Sequence, residues 1–166
     1  MIILENSSFI VSSAYPDPKL HGNGFVARLS GSTAEFIHIW LLMCLGDKPF
    51  TLNQEGKLAL RFKPILPAWL FAKKAEKREY YIDKKEPVEL VVPRDCFAFN
   101  FLKDTLVVYH NPKRKNTYAS KSVRPVKISF QDPEGKTVEV KGDTIPSPYS
   151  EKIREGLITR IDIELS

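Results

Sequence analysis

Ser30-Gly31-Ser32-Thr33 is the stretch whose residue types come closest to chemistry. Small and hydroxyl-bearing residues here run into an apolar segment, Phe36 to Leu45, that reads as a helix. The free amides at a helix start, together with the positive end of the helix dipole, hold anions. Gly31, lacking a Cβ, lets an oxyanion come close to the backbone. A purely structural role is equally open. Ser30 and Ser32 can simply cap the helix, and Glu35 in its first turn repels an anion. Arg28, just ahead of the turn, can pair with an anionic ligand or, structurally, with a carboxylate.

The remaining candidates offer less. His21, His38 and His110 lack metal-ligand spacing to one another, to cysteine or to carboxylates. His38 lies on the apolar segment and reads as a core histidine. His110, before Asn111-Pro112 at a strand end, reads as surface. Cys44 sits in an apolar run and Cys96 beside an aromatic one, so both read as small core residues, and no disulfide is expected. Asp17, Glu35 and Asp95 have no evident partner. There is no Ser-His-Asp pattern, no nucleotide loop and no cysteine–histidine pair with supporting context. Neither a catalytic set nor a metal site is expected.

The elements that would position these residues divide at about residue 50. Residues 1 to 31 are rich in turn chemistry, with Tyr15-Pro16-Asp17-Pro18 and His21-Gly22-Asn23-Gly24, and build no core of their own. Ser32 and Glu35 have capping-box spacing, and Gly46 supplies a C-terminal stop. Between them the helix is apolar on nearly every face, which predicts burial on all sides. Its natural neighbours would be other helices, and this sequence does not supply them. From Phe50 the period becomes alternating. Strands are predicted at Leu58 to Lys63, Glu79 to Ile82, Val88 to Val92, Cys96 to Phe101, Thr105 to His110, Val126 to Phe130, Thr137 to Val140 and Ile158 to Leu165, with a short helix over Ser150 to Glu155. Lys103-Asp104 and Asp132-Pro133-Glu134-Gly135 suit hairpin connections. The expected fold is mainly β, an antiparallel, jelly-roll-like sandwich over 50–166 preceded by one buried α-helix in 1–49.

Totals exclude several classes. With 166 residues, 43% hydrophobic and 27% charged, the chain has enough apolar material for a real core, so wholesale disorder is not expected. The net charge of +5 permits nucleic-acid binding. Apart from Lys113-Arg114-Lys115 and Lys73 to Arg78, however, the basic residues are scattered, as on solvated loops. Met1 to Leu4 is apolar but ends at Glu5 without a basic start, so no signal peptide is expected. The run Ile39 to Leu45 is too short to span a bilayer. A cytoplasmic protein without membrane or nucleic-acid partners is the expectation.

The order of motifs resembles a known family. Arg28-Leu29-Ser30-Gly31-Ser32-Thr33-Ala34 is followed by Leu45-Gly46, the alternating Leu58 to Lys63, and Pro64-Ile65-Leu66-Pro67-Ala68-Trp69. This is similar to the end of the helical barrel in cellobiose and chitobiose phosphorylases. There a Thr-Gly-Ser/Thr-Ala turn opens the last barrel helix, and an Ile-Pro-x-x-Trp segment leads into a C-terminal jelly roll. The motifs cover residues 28 to 69, and beyond that only architecture agrees. Ser30 stands where Thr is common, and Lys103 to Ser120 is atypical. The resemblance implies that residues 1–49 are the tail of an α/α barrel. It also implies that phosphate, a co-substrate rather than a cofactor, contacts Ser30 and Gly31 during inverting phosphorolysis of a β-linked disaccharide. Arg28 and His21 would be candidates to line that pocket. The family's acid, an aspartate, precedes this segment, so the chain alone is expected to be inactive. Its partners would be the missing barrel, carbohydrate and phosphate through the parent enzyme, and a second copy in a homodimer. Trp69 would pack the strand entry against the barrel. The rivals are a free-standing carbohydrate-binding β-sandwich module and a basic nucleic-acid-binding β-domain.

Overall fold

Alternation in the sequence becomes strands wherever two such runs are joined by a short turn. The computed structural model describes residues 9–25, 30–82, 86–102 and 104–166. The chain falls into two compact units, one ending at Ile39 and the other spanning Trp40–Ser166.

In the first unit, β1 (Phe9–Ile10) pairs antiparallel with β2 (Gly24–Phe25). The turns between them follow the proline and glycine signals. Asp17 caps a 3-10 turn, Pro18–Leu20, by accepting from the Lys19 amide. The helix α1 (Ser30–Leu45) begins here and starts three residues earlier than the capping-box spacing implies, placing Ser32 inside its first turn.

The second unit is β-rich. In chain order it contains β3 (Phe50–Leu52), β4 (Leu58–Arg61), β5 (Glu76–Tyr80), β6 (Val88–Val92), β7 (Cys96–Phe101), β8 (Thr105–His110), β9 (Pro125–Gln131), β10 (Thr137–Lys141), β11 (Thr144–Pro146), the helix α2 (Tyr149–Arg154) and β12 (Arg160–Leu165). They form a five-stranded sheet in the order β10-β9-β12-β8-β7, a three-stranded sheet β11-β4-β3 and the hairpin β5-β6. Every pair is antiparallel except β12 with β8, which run parallel. Between Gln131 and Thr137 the turn closes as its sequence demands. The Asp132 carboxylate accepts from the Glu134 and Lys136 amides, and Gly135 takes a positive φ of 81°.

Period-two alternation gives the five-stranded sheet two unlike faces. One carries Phe97, Phe99, Phe101, Val107, Tyr109, Ile128, Phe130, Ile161 and Ile163 into the main core, where Leu60, Phe62 and Ile145 meet them from the three-stranded sheet and its edge. Each fully buried branched side chain there contributes about 1.5–3 kcal/mol. Over part of the other face Tyr80 and Val92 pack on Leu106 and Val108, forming a second, smaller core.

The last turn of α1 lies within the second unit and is tied to the segment after β4. The Lys63 amide donates to Leu45 O at 2.8 Å and the Ile65 amide to Met43 O at 2.7 Å. Gly46 has φ 99°, and a Cβ there would lie 2.9 Å from Lys63 O, so only glycine allows this close approach. The expectation of a helix buried on all sides is corrected. Cys44 and Leu45 are buried, whereas Phe36, Ile37, Ile39 and Trp40 are exposed, Phe36 at 77%. His38, expected in a core, is exposed as well. Apolar character predicts a need for neighbours, and within the second unit these meet the helix over its C-terminal part, where Leu41 and Met43 pack against the main core.

The atypical stretch after β8 also has a structural role. Thr117 Oγ1 accepts from the Leu66 amide and donates to Pro64 O, both at 2.7 Å, and Asn116 Oδ1 accepts from the Ala68 amide at 2.8 Å. This loop thus clamps the Pro64–Trp69 segment, leaving Ile65, Tyr118 and, at 73% exposure, Trp69 facing outward.

Candidate functional site

A short connection fixes the register of the β7–β8 hairpin, pairing Phe101 with Thr105 and, at its far end, Cys96 with His110. Directly opposed side chains on one face lie within contact distance. Here Cys96 Sγ is 3.2 Å from His110 Nδ1. On the other side of β8, the parallel neighbour β12 places Asp162 beside Val108, diagonal to His110. His110 Nε2 is 2.8 Å from Asp162 Oδ1. Arg160, two residues earlier on β12, donates to both Asp162 oxygens, from Nε at 2.7 Å and from a terminal nitrogen at 2.9 Å. The result is a line, Cys96–His110–Asp162–Arg160, along the sheet face opposite the main core.

Cys96, His110 and Asp162 border an open cleft of about 690 Å³, whose walls include Arg94, Asp95, Lys113, Ser129 and Glu164. Behind the wall, Arg114 from the loop after β8 pairs with Asp95 and donates to Ala72 O at 3.1 Å. His110 joins the middle of the line with both ring nitrogens engaged. Among the described residues, no group of three His, Cys, Asp or Glu is arranged around a metal position.

Electrostatics follow from these contacts. The hydrogen bond to Asp162, then that to Cys96, raise the His110 imidazole to about 9 against the cost of partial burial. At neutral pH it is therefore an imidazolium with two N–H donors, one aimed at the carboxylate and one at the sulfur. Burial alone would raise the Asp162 carboxyl, but hydrogen bonds from His110 and Arg160 prevail and bring it down to about 2. Cys44 behaves oppositely. It is wholly buried among apolar side chains, and burial pushes its thiol up to about 12.

The residues singled out by sequence lie elsewhere. Ser30 and Gly31 occupy the first positions of α1, with side chains outside the described residues. Arg28 also lies outside them. His21 sits in the turn segment, its Nε2 2.8 Å from Tyr15 O. His110 is corrected from a surface residue to the half-buried centre of a network, while Cys96 is a buried core residue as expected and also stands at the end of that network. The cysteine–histidine pair went unrecognised in the sequence, although it was legible from the two strands and their short turn, which fix which residues face each other. Asp162 was not, since nothing local pairs β12 with β8. No family model matches the chain, and the search of curated proteins finds no match.

Proposed function

We propose that this chain is the C-terminal, non-catalytic portion of a cellobiose phosphorylase-like glycoside phosphorylase. Its β-rich unit takes the role of that family's jelly roll, closing the helical barrel and contributing one wall of the phosphate and sugar pocket. The observation that carries the reading is α1. A helix that is apolar on every side, in a chain otherwise built of strands, leaves Phe36, Ile37, Ile39 and Trp40 exposed. Such a surface fits packing between helices, and a helical barrel supplies them. Trp69, clamped yet 73% exposed, fits the same partner. In this reading Ser30 and Gly31 meet inorganic phosphate at the helix start, with Arg28 and His21 near the pocket, and the parent enzyme works in the cytoplasm.

The rival readings gain less support. A carbohydrate-binding module would present a row of rings on one sheet face. The outer face here carries Arg160, Asp162, Glu164 and Lys127 instead, and the Phe side chains point into the core. A nucleic-acid-binding domain needs free cations, yet Arg114 is paired with Asp95, Lys77 with Glu89 and Arg78 with Glu76.

The test has two arms. The genomic DNA upstream of the Met1 codon should continue the reading frame into a large helical domain. The chain alone should release no sugar 1-phosphate from cellobiose-like disaccharides and phosphate. Turnover by this chain alone, or an upstream frame encoding something other than a helical domain, would overturn the proposal.

A further inference from the structure

Independently of that function, the geometry points to Cys96 as a nucleophilic sulfur held by His110 and Asp162, and to a small hydroperoxide as the substrate class it reacts with. Three observations converge. The sulfur lies 3.2 Å from an imidazole nitrogen. That imidazole is oriented from its other side by a carboxylate at 2.8 Å, which is itself gripped at both oxygens by Arg160. The line opens onto a cleft. A thiol beside an imidazolium that a third group orients is the arrangement that makes sulfur nucleophilic.

The surroundings decide the class of electrophile. Acyl transfer needs amides aimed at a developing oxyanion. The amides of Asp95, Cys96 and Asn111 donate instead to Ala72 O, Pro93 O and Asp95 O. Cys96 is only 3% exposed, so a bulky substrate does not reach the sulfur. A peroxide is small and requires only a proton donor for its leaving oxygen. The sulfur gives its proton to solvent and attacks the terminal oxygen of ROOH, the S–O bond forms and the O–O bond breaks. The departing alkoxide takes the Nδ1 proton of His110 and leaves as ROH. Sulfur is oxidised by two electrons, the peroxide is reduced, and the products are Cys96 sulfenic acid and neutral His110. One small thiol condenses with the sulfenic acid to a mixed disulfide and water, and a second releases the free cysteine as the two thiols leave joined in their own disulfide.

The two cysteines make the test internal. The folded chain is treated at neutral pH with hydrogen peroxide, the reaction is stopped by unfolding in denaturant that contains dimedone and catalase, and both cysteine peptides are quantified by mass spectrometry. Cys96 should carry the adduct at least about tenfold faster than Cys44, and His110→Gln should slow it by about tenfold or more. Asp162→Asn, which keeps the imidazole but frees its far side, should slow it less. Cys44 doubles as a folding control, because it becomes labelled only if a variant unfolds. In that case the wild-type contrast and Asp162→Asn carry the decision. No adduct on Cys96 in the wild type, equal labelling of both cysteines, or a folded His110→Gln that reacts as fast as wild type would overturn the assignment.

Discussion

Ile161 and Asp162 are neighbours on β12 and point to opposite faces of the same sheet. Ile161 is fully buried in the main core. Asp162 lies in the line of polar side chains bordered by the cleft. The two cysteines repeat the contrast, Cys44 buried among apolar side chains and Cys96 beside an imidazolium. The lesson concerns what each face contributes. Apolar burial stabilises in proportion to area and without regard to direction. The polar line is directional and partly hydrated, so it adds little net stability while setting protonation states.

If that contrast is right, Ile161→Ala should have the largest effect. It removes buried carbons from a packed core and should cost about 3–4 kcal/mol in urea unfolding. Asp162→Asn should cost less, about 1–2 kcal/mol, because Arg160 and His110 lose a partner but keep access to water. Its clearer signature is an NMR titration in which the His110 imidazole falls back toward its ordinary range. Equal costs for the two variants would break the distinction between the faces.

His110→Gln sharpens the contrast through pH. The folded imidazole titrates at about 9 instead of the usual 6.5, so its stabilisation is full below 6.5 and lost as pH rises through about 9. Asp162, held near 2, loses its own share only as pH falls through that range. Other charges near the line are the Asp95–Arg114 pair, Arg94, Lys113, Arg160, and Glu164 with Lys127. The difference between wild type and variant should be about 1–2 kcal/mol near pH 6, discounted for partial exposure, and should fade by about pH 10. A difference that is flat across pH would mean the contact is only packing. The smallest effect should come from Trp69→Ser. The exposed ring is worth at most about 0.5 kcal/mol to the isolated chain, while its loss should weaken packing against a helical partner in the full-length enzyme, read by thermal melting of both forms.

Much of the β-rich unit was legible locally. Val88–Val92, Cys96–Phe101 and Thr105–His110 appear with the predicted bounds, because alternation and turn residues are short-range signals. The two three-residue strands β3 and β11 were missed, since three residues are too few to show a period. Burial of α1 failed for a different reason. Hydropathy reports what a helix needs, and only the neighbours decide whether it is met. At the site, the facing of Cys96 and His110 follows from the hairpin but was not drawn from it, whereas Asp162 could not be found.

By itself, then, the sequence determined the strands, their hairpins and the apolar character of the helix, since each depends on residues a few positions apart. Tertiary structure alone decided that β12 lies parallel to β8, and with it the placement of Asp162 against His110. Pairing between strands some fifty residues apart in the chain is chosen by the summed burial of a whole sheet face against the entropy of closing the intervening loop. No local pattern carries that sum.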